Sequence, residues 1–198
     1  MNKMIFRIVC IFSIVFYFCF LITGCKSITS NESHIDDNID NYSKNRENVR
    51  FAEDYLPILE DVSGECVSYS YKKTDILVYT TETIALFIKC SSDSYQKQKE
   101  EMLRSNDILV ELRTNSEGDY LTPPPEFCYK GYAFFTCVNS DAYYGCKSVL
   151  FIGYNDETQR LALCYFWDAD RDIMFYANSY TDESIIEFMD TYFYWNEL

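Results

Sequence analysis

Cys25 is set up for chemistry by the residues before it. Lys3 and Arg7 give the chain a positive start, and Ile8 to Ile22 then runs 15 residues with only Ser13 and Tyr17 carrying a polar group. The run ends in Ile22-Thr23-Gly24-Cys25, so a thiol follows a small residue at the edge of an apolar segment. A membrane-spanning helix needs roughly 20 apolar residues, so this stretch is short for a stop-transfer span and right for an export signal. The alternative is an uncleaved anchor helix with Cys25 an ordinary thiol. Either way, the chain behind it is expected outside the cytoplasm and beside a membrane.

Ile22-Thr23-Gly24-Cys25 resembles the lipobox of bacterial lipoproteins. The resemblance implies that Ile22 and Gly24 fit the lipoprotein signal peptidase, that residues 1–24 are removed, and that the Cys25 thiol takes up diacylglycerol. Two or more acyl chains, at about 0.8 kcal/mol per buried CH₂, hold a protein stably without a spanning helix. The expected location is therefore the cell membrane, lipid-anchored and extracytoplasmic, with palmitate among the attached chains.

The other candidate chemistry is thinner. His34 is the single histidine and lies in a polar stretch, so the domain behind it is expected to offer no imidazole for a Ser-His or Cys-His pair. Ser94-Tyr95-Gln96-Lys97 fits Ser-x-x-Lys at a helix start, but no Lys-Thr-Gly or Gly-x-Ser-x-Gly accompanies it. Asp168, Asp170 and Asp172 alternate around Arg171, as carboxylates do when a loop wraps Ca²⁺. An EF-hand would want Gly at 173 and Glu at 179, where Ile173 and Ser179 stand, so a solvated turn is the favoured reading. No glycines cluster to cradle a phosphate, and no cofactor is expected.

Nine cysteines become six once Cys10 and Cys19 leave with the signal and Cys25 takes the lipid. Cys66, Cys90, Cys128, Cys137, Cys146 and Cys164 allow 15 pairings in an oxidising compartment. Buried thiols acting as small hydrophobes are the alternative. Cys137–Cys146 is the most plausible bridge, closing the turn-rich stretch from Val138 to Gly145. Zinc is disfavoured because no Cys-x-x-Cys occurs. The net charge of −14, more negative still without the signal's two bases, excludes nucleic acid, whose phosphates demand Lys and Arg.

Three segments follow from this reading: the signal at 1–24, a lipidated cysteine and flexible polar tether at 25–49, and a single α+β domain at 50–198. Phe51, Tyr55, Leu59 and Val62 recur at helical spacing, with Pro57 opening a second short helix. Strands are expected at 66–71, 76–80, 83–90, 108–112, 127–137, 148–154 and 159–167, with a short one at 173–176. A surface helix should run from Ser92 or Asp93 to Arg104, and another from Asp182 to Tyr192. Short turns pair successive strands antiparallel, giving a sheet of about five to seven strands with helices near both ends of the domain packed on one face. Leu56 to Gly64, a strand pair, and Ser92-Asp93-Ser94-Tyr95 opening a Lys/Glu-rich helix are similar to small secreted proteins and lipoproteins of low-G+C Gram-positive bacteria. That resemblance implies no residue roles.

Aromatic residues supply the remaining binding candidates. Tyr and Phe favour strands, and core packing accounts for most of the 18 Tyr and 15 Phe. Tyr143, Tyr144 and Trp195 are least explained that way, and such rings stack on sugars or anchor protein partners. The function expected is a non-enzymatic, lipid-anchored binding module for a protein or glycan. A carboxylate-dependent hydrolase of envelope or environmental polymers and a purely structural envelope component are the alternatives.

Overall fold

From Ile84 to Ile88 every side chain is apolar, and the same holds from Leu161 to Phe166. A strand with apolar residues on both faces is stable only where both faces are covered. A computed structural model describes residues 32–76, 79–111, 123–137, 148–168 and 182–196, and these two segments lie at the centre of its sheet. The strands are β1 (Glu32–Asp36), β2 (Cys66–Ile76), β3 (Tyr79–Lys89), β4 (Glu126–Tyr129), β5 (Tyr132–Cys137), β6 (Ser148–Asn155) and β7 (Arg160–Asp168). They form one seven-stranded sheet in the order β1-β2-β3-β7-β6-β5-β4, with every pair antiparallel. The helices are α1 (Tyr42–Asn48), α2 (Ala52–Tyr55), α3 (Ser92–Ser105) and α4 (Asp182–Tyr192). The class is α+β, as expected.

The alternation along β3 and β7 divides the core in two. Ile84, Leu86, Ile88, Leu161, Leu163 and Tyr165 point to one face, where Tyr42, Val49, Leu56, Tyr95 and Met102 from α1 to α3 cover them. Ala85, Phe87, Ala162, Cys164 and Phe166 point to the other, under Ile185, Met189 and Phe193 of α4 and its extension. Helices from the two ends of the domain therefore pack on opposite faces, correcting the expectation of one. The period of two explains why: packing only one face would leave Phe87 and Phe166 in water.

The tether boundary is corrected as well. Residues 32–49 are part of the folded unit, with Ile35 of β1 paired to Lys72 and Tyr42 fully buried. Hydrogen bonding orders this polar stretch. One Asp36 carboxylate oxygen accepts from the backbone of Asn38 (3.1 Å) and the amide of Asn41 (3.3 Å), the other from Asn45 (3.1 Å). Slight burial would push the Asp36 carboxyl up, but these three donors hold it below the usual carboxylate range. Tyr42 supplies the apolar anchor and donates its hydroxyl to the Pro57 carbonyl at 2.6 Å.

Other differences are local. β3 runs unbroken from Tyr79 to Lys89 and pairs with β2 as far as Ile76↔Tyr79, so 76–80 and 83–90 are not two strands of one hairpin. The expected strand at 127–137 is a hairpin, turning at Lys130 (φ 48°) and Gly131 (φ 82°), both left-handed as a two-residue turn requires. Ile108 makes a single bridge to Cys137 in place of a strand. The short strand expected at 173–176 lies outside the described residues. Among the described residues no helix is long and apolar enough to cross a membrane.

Candidate functional site

The nucleophile candidates among the described residues come first. The Ser94 hydroxyl pairs with the Ser91 hydroxyl (2.9 Å) and the Ser91 carbonyl (3.3 Å), with no bond to Lys97. His34 sits on the exposed edge strand, its ring edge-on to Tyr71 at 6.3 Å. The folded unit thus does hold an imidazole, although the tether reading excluded one. Cys90, Cys137 and Cys164 are buried thiols and Cys128 is an exposed one. Burial pushes the Cys90 and Cys164 thiols up, and burial together with the Asp107 charge pushes Cys137 up to about 12, away from nucleophilic use. Cys146, its expected disulfide partner, lies outside the described residues, as do Cys25, Tyr143, Tyr144, Asp170 and Asp172.

Two candidates can be placed. Asp168 is 1 % exposed at the end of β7, so it does not belong to a solvated turn. No cluster of three His, Cys, Asp or Glu side chains able to hold a metal occurs among the described residues. Trp195 is half-buried, packed edge-on to Phe87 (4.6 Å), Tyr129 (5.0 Å) and Tyr132 (5.6 Å), with Lys130 Nζ 5.3 Å from its ring. The backbone holds it there: Thr83 Oγ1 donates to the Tyr192 carbonyl at 2.9 Å, and Ser70 Oγ donates to that of Tyr194. Its ring is committed largely to packing.

A cleft of about 440 Å³ opens instead where α3 stands off the sheet. Pro57 and the extended residues around it separate α2 from the 3₁₀ turn at Leu59–Asp61, and this break forms one wall. The wall is braced from behind. Arg46 donates to the carbonyls of Leu56 (2.7 Å) and Glu53 (2.8 Å), while Tyr42 holds that of Pro57. The opposite wall is one face of α3, through Gln98, Glu101, Met102 and Ser105 at helical spacing. Ile88, Leu161 and Leu163 make an apolar floor, and Tyr55 lines one side while stacking on Tyr165 at 5.3 Å.

α3 is fixed at its other end. Asp156, in the β6–β7 turn, accepts from Lys99 (2.6 Å) and Tyr95 (2.7 Å), and Lys99 lies 3.4 Å over the Tyr154 ring. Lys99 and then Tyr95 hold the Asp156 carboxyl below the usual range, whereas burial first and the Asp156 bond second push the Tyr95 hydroxyl well up. The cleft's carboxylates, Asp54, Asp61 and Glu101, are exposed at the rim, and among the described residues no Lys, Arg or His lines it. Single residues scattered over 54–63, 88, 98–106 and 161–163 build this site, which sequence reading missed. Its one local signal was Leu56-Pro57, read as a helix break.

Fold and site together define an α+β protein with an all-antiparallel sheet covered on both faces and an acidic-rimmed groove beneath one helix. No protein-family model, curated protein or solved structure matches the chain.

Proposed function

We propose that this is a lipid-anchored, extracytoplasmic binding module whose ligand lies in the cleft beneath α3. The location rests on the export segment and the lipobox-like Ile22-Thr23-Gly24-Cys25. The observation that carries the binding reading is the cleft itself: about 440 Å³, apolar at the floor, polar at the rim, with both walls pinned. Its size falls among ordinary ligand sites, and braced walls lower the ordering cost of binding.

Carboxylate hydrolysis is the second reading, favoured by Asp54 and Asp61 on one wall and Glu101 on the other. All three are exposed. A general acid must keep its proton near neutral pH, which takes a carboxyl sheltered from water. Binding therefore accounts better for the rim.

Two measurements test the proposal in cells of the native host. Cys25→Ala should abolish incorporation of radiolabelled palmitate, and labelling that persists removes the anchor. A photo-crosslinking benzoylphenylalanine at Gln98 should give a light-dependent adduct that one at Glu47, outside the cleft, does not. Ser105→Trp, which fills the groove, should suppress it. Equal adducts from both positions, or none, would remove the cleft as the binding site.

A further inference from the structure

We infer that the cleft takes a short extended peptide segment that is apolar along one edge and carries Lys or Arg along the other. This rests on the binding reading and adds the chemistry of the ligand. The α3 wall sets the length of chain that can lie along it. From Gln98 to Ser105 the α3 wall spans seven residue steps, about 10 Å at 1.5 Å per residue. An extended chain rises about 3.3 Å per residue, so roughly three residues lie along that wall. Alternate side chains of such a segment point to opposite sides, which matches an apolar floor below and a polar rim above.

Charge selects the sign. Among the described residues Glu53 pairs with Arg46, Asp75 with Lys73 and Asp156 with Lys99. At the cleft, Asp54, Asp61 and Glu101 have no ion-pair partner among the described residues. Cations on a ligand would supply the missing partners, and the chain's net charge of −14 would steer such a ligand inward. An anionic lipid surface is repelled by the rim.

The test uses the full-length chain in neutral detergent and a fluorescein-labelled peptide Lys-Leu-Lys-Leu-Lys, read by fluorescence anisotropy. Saturable binding is expected, weakening as salt is raised. The triple variant Asp54→Asn, Asp61→Asn, Glu101→Gln should bind roughly tenfold more weakly, since each exposed pair contributes modestly. A charge-matched triple outside the cleft, Asp40→Asn, Glu47→Gln, Glu157→Gln, should bind as wild type does. All six positions are exposed, so both triples keep the packed core. Equal weakening by the two triples would reduce the effect to net charge and overturn the inference. Equal binding of Glu-Leu-Glu-Leu-Glu would overturn it too. If Gln98 gives its crosslinked adduct in cells but the basic peptide does not bind, the ligand class fails and the binding reading stands. If neither occurs, both fall.

Discussion

The Phe134 ring lies against Gly153, its cross-strand partner, so closely that a Cβ at Gly153 would stand 2.5 Å from Phe134 Cε1. The glycine is required by that approach, because the ring occupies the space its neighbour leaves empty. Gly153→Ala should cost about 1–3 kcal/mol in urea unfolding, the usual range for overpacking a close-packed core. The same substitution should cost less in a Phe134→Leu background, where the ring is gone. Costs that simply add in the double variant would show that the two residues do not share the space.

The buried thiols make a second prediction. Cys164 is fully buried, Cys137 and Cys90 nearly so, and Cys128 is exposed on β4. Native protein treated with iodoacetamide at pH 8 should be modified at Cys128, while Cys90, Cys137 and Cys164 react only after denaturation. Burial holds the last three as neutral thiols and also blocks access. Peptide mass mapping reads each site separately. Fast native modification of Cys164 would contradict the covered second face of the sheet.

The Lys99–Asp156–Tyr95 cluster predicts a pH dependence. Folding lowers the Asp156 pKa from 3.8, chiefly through the Lys99 bond and then the Tyr95 bond. A carboxyl depressed in the folded state contributes stability fully above its unfolded pKa and loses it as pH falls through the folded value. Wild type should thus exceed Asp156→Asn in urea midpoint above about pH 4, and the gap should close on acidification below that. Asp156 is mostly exposed, so the gap is that of a solvent-screened surface pair. A gap independent of pH would assign the effect to hydrogen bonding rather than charge.

Periodicity carries local information well and spatial information poorly in this chain. The 92–105 and 182–192 helices were legible because the residue spacing that marks each lies within its own segment, although the expected cap at Ser92 or Asp93 falls inside the helix, whose N-cap Ser91 makes no side-chain cap bond. The β6–β7 hairpin was legible for the same reason, with Asn155 Oδ1 accepting from the backbone of Glu157 and Thr158 in the turn. Which face each helix covers was not, although Ile84 to Ile88 and Leu161 to Phe166 carried the clue that both faces are buried. β1 escaped notice because an edge strand takes its hydrogen bonds from β2 and needs little apolar surface of its own. The cleft was illegible since its floor, walls and rim come from four stretches that only the tertiary fold brings together.

Residue 42 decides whether the stretch before residue 50 is tether or fold. Tyr42 is fully buried, packs edge-on to Tyr69 at 5.4 Å, and donates to the Pro57 carbonyl that braces the cleft wall. Tyr42→Ala should destabilise the protein by about 3–5 kcal/mol, as deleting a buried ring does. Tyr42→Phe keeps the ring and loses only the hydroxyl bond, so about 0.5–1.5 kcal/mol is expected. Lys44→Ala, on the exposed side of α1, should stay within about 0.5 kcal/mol. A flexible tether predicts no difference among the three, so a graded series in urea unfolding separates the two pictures. Because the hydroxyl bonds the cleft wall, Tyr42→Phe should also weaken the Gln98 crosslink, whereas Lys44→Ala should leave it unchanged.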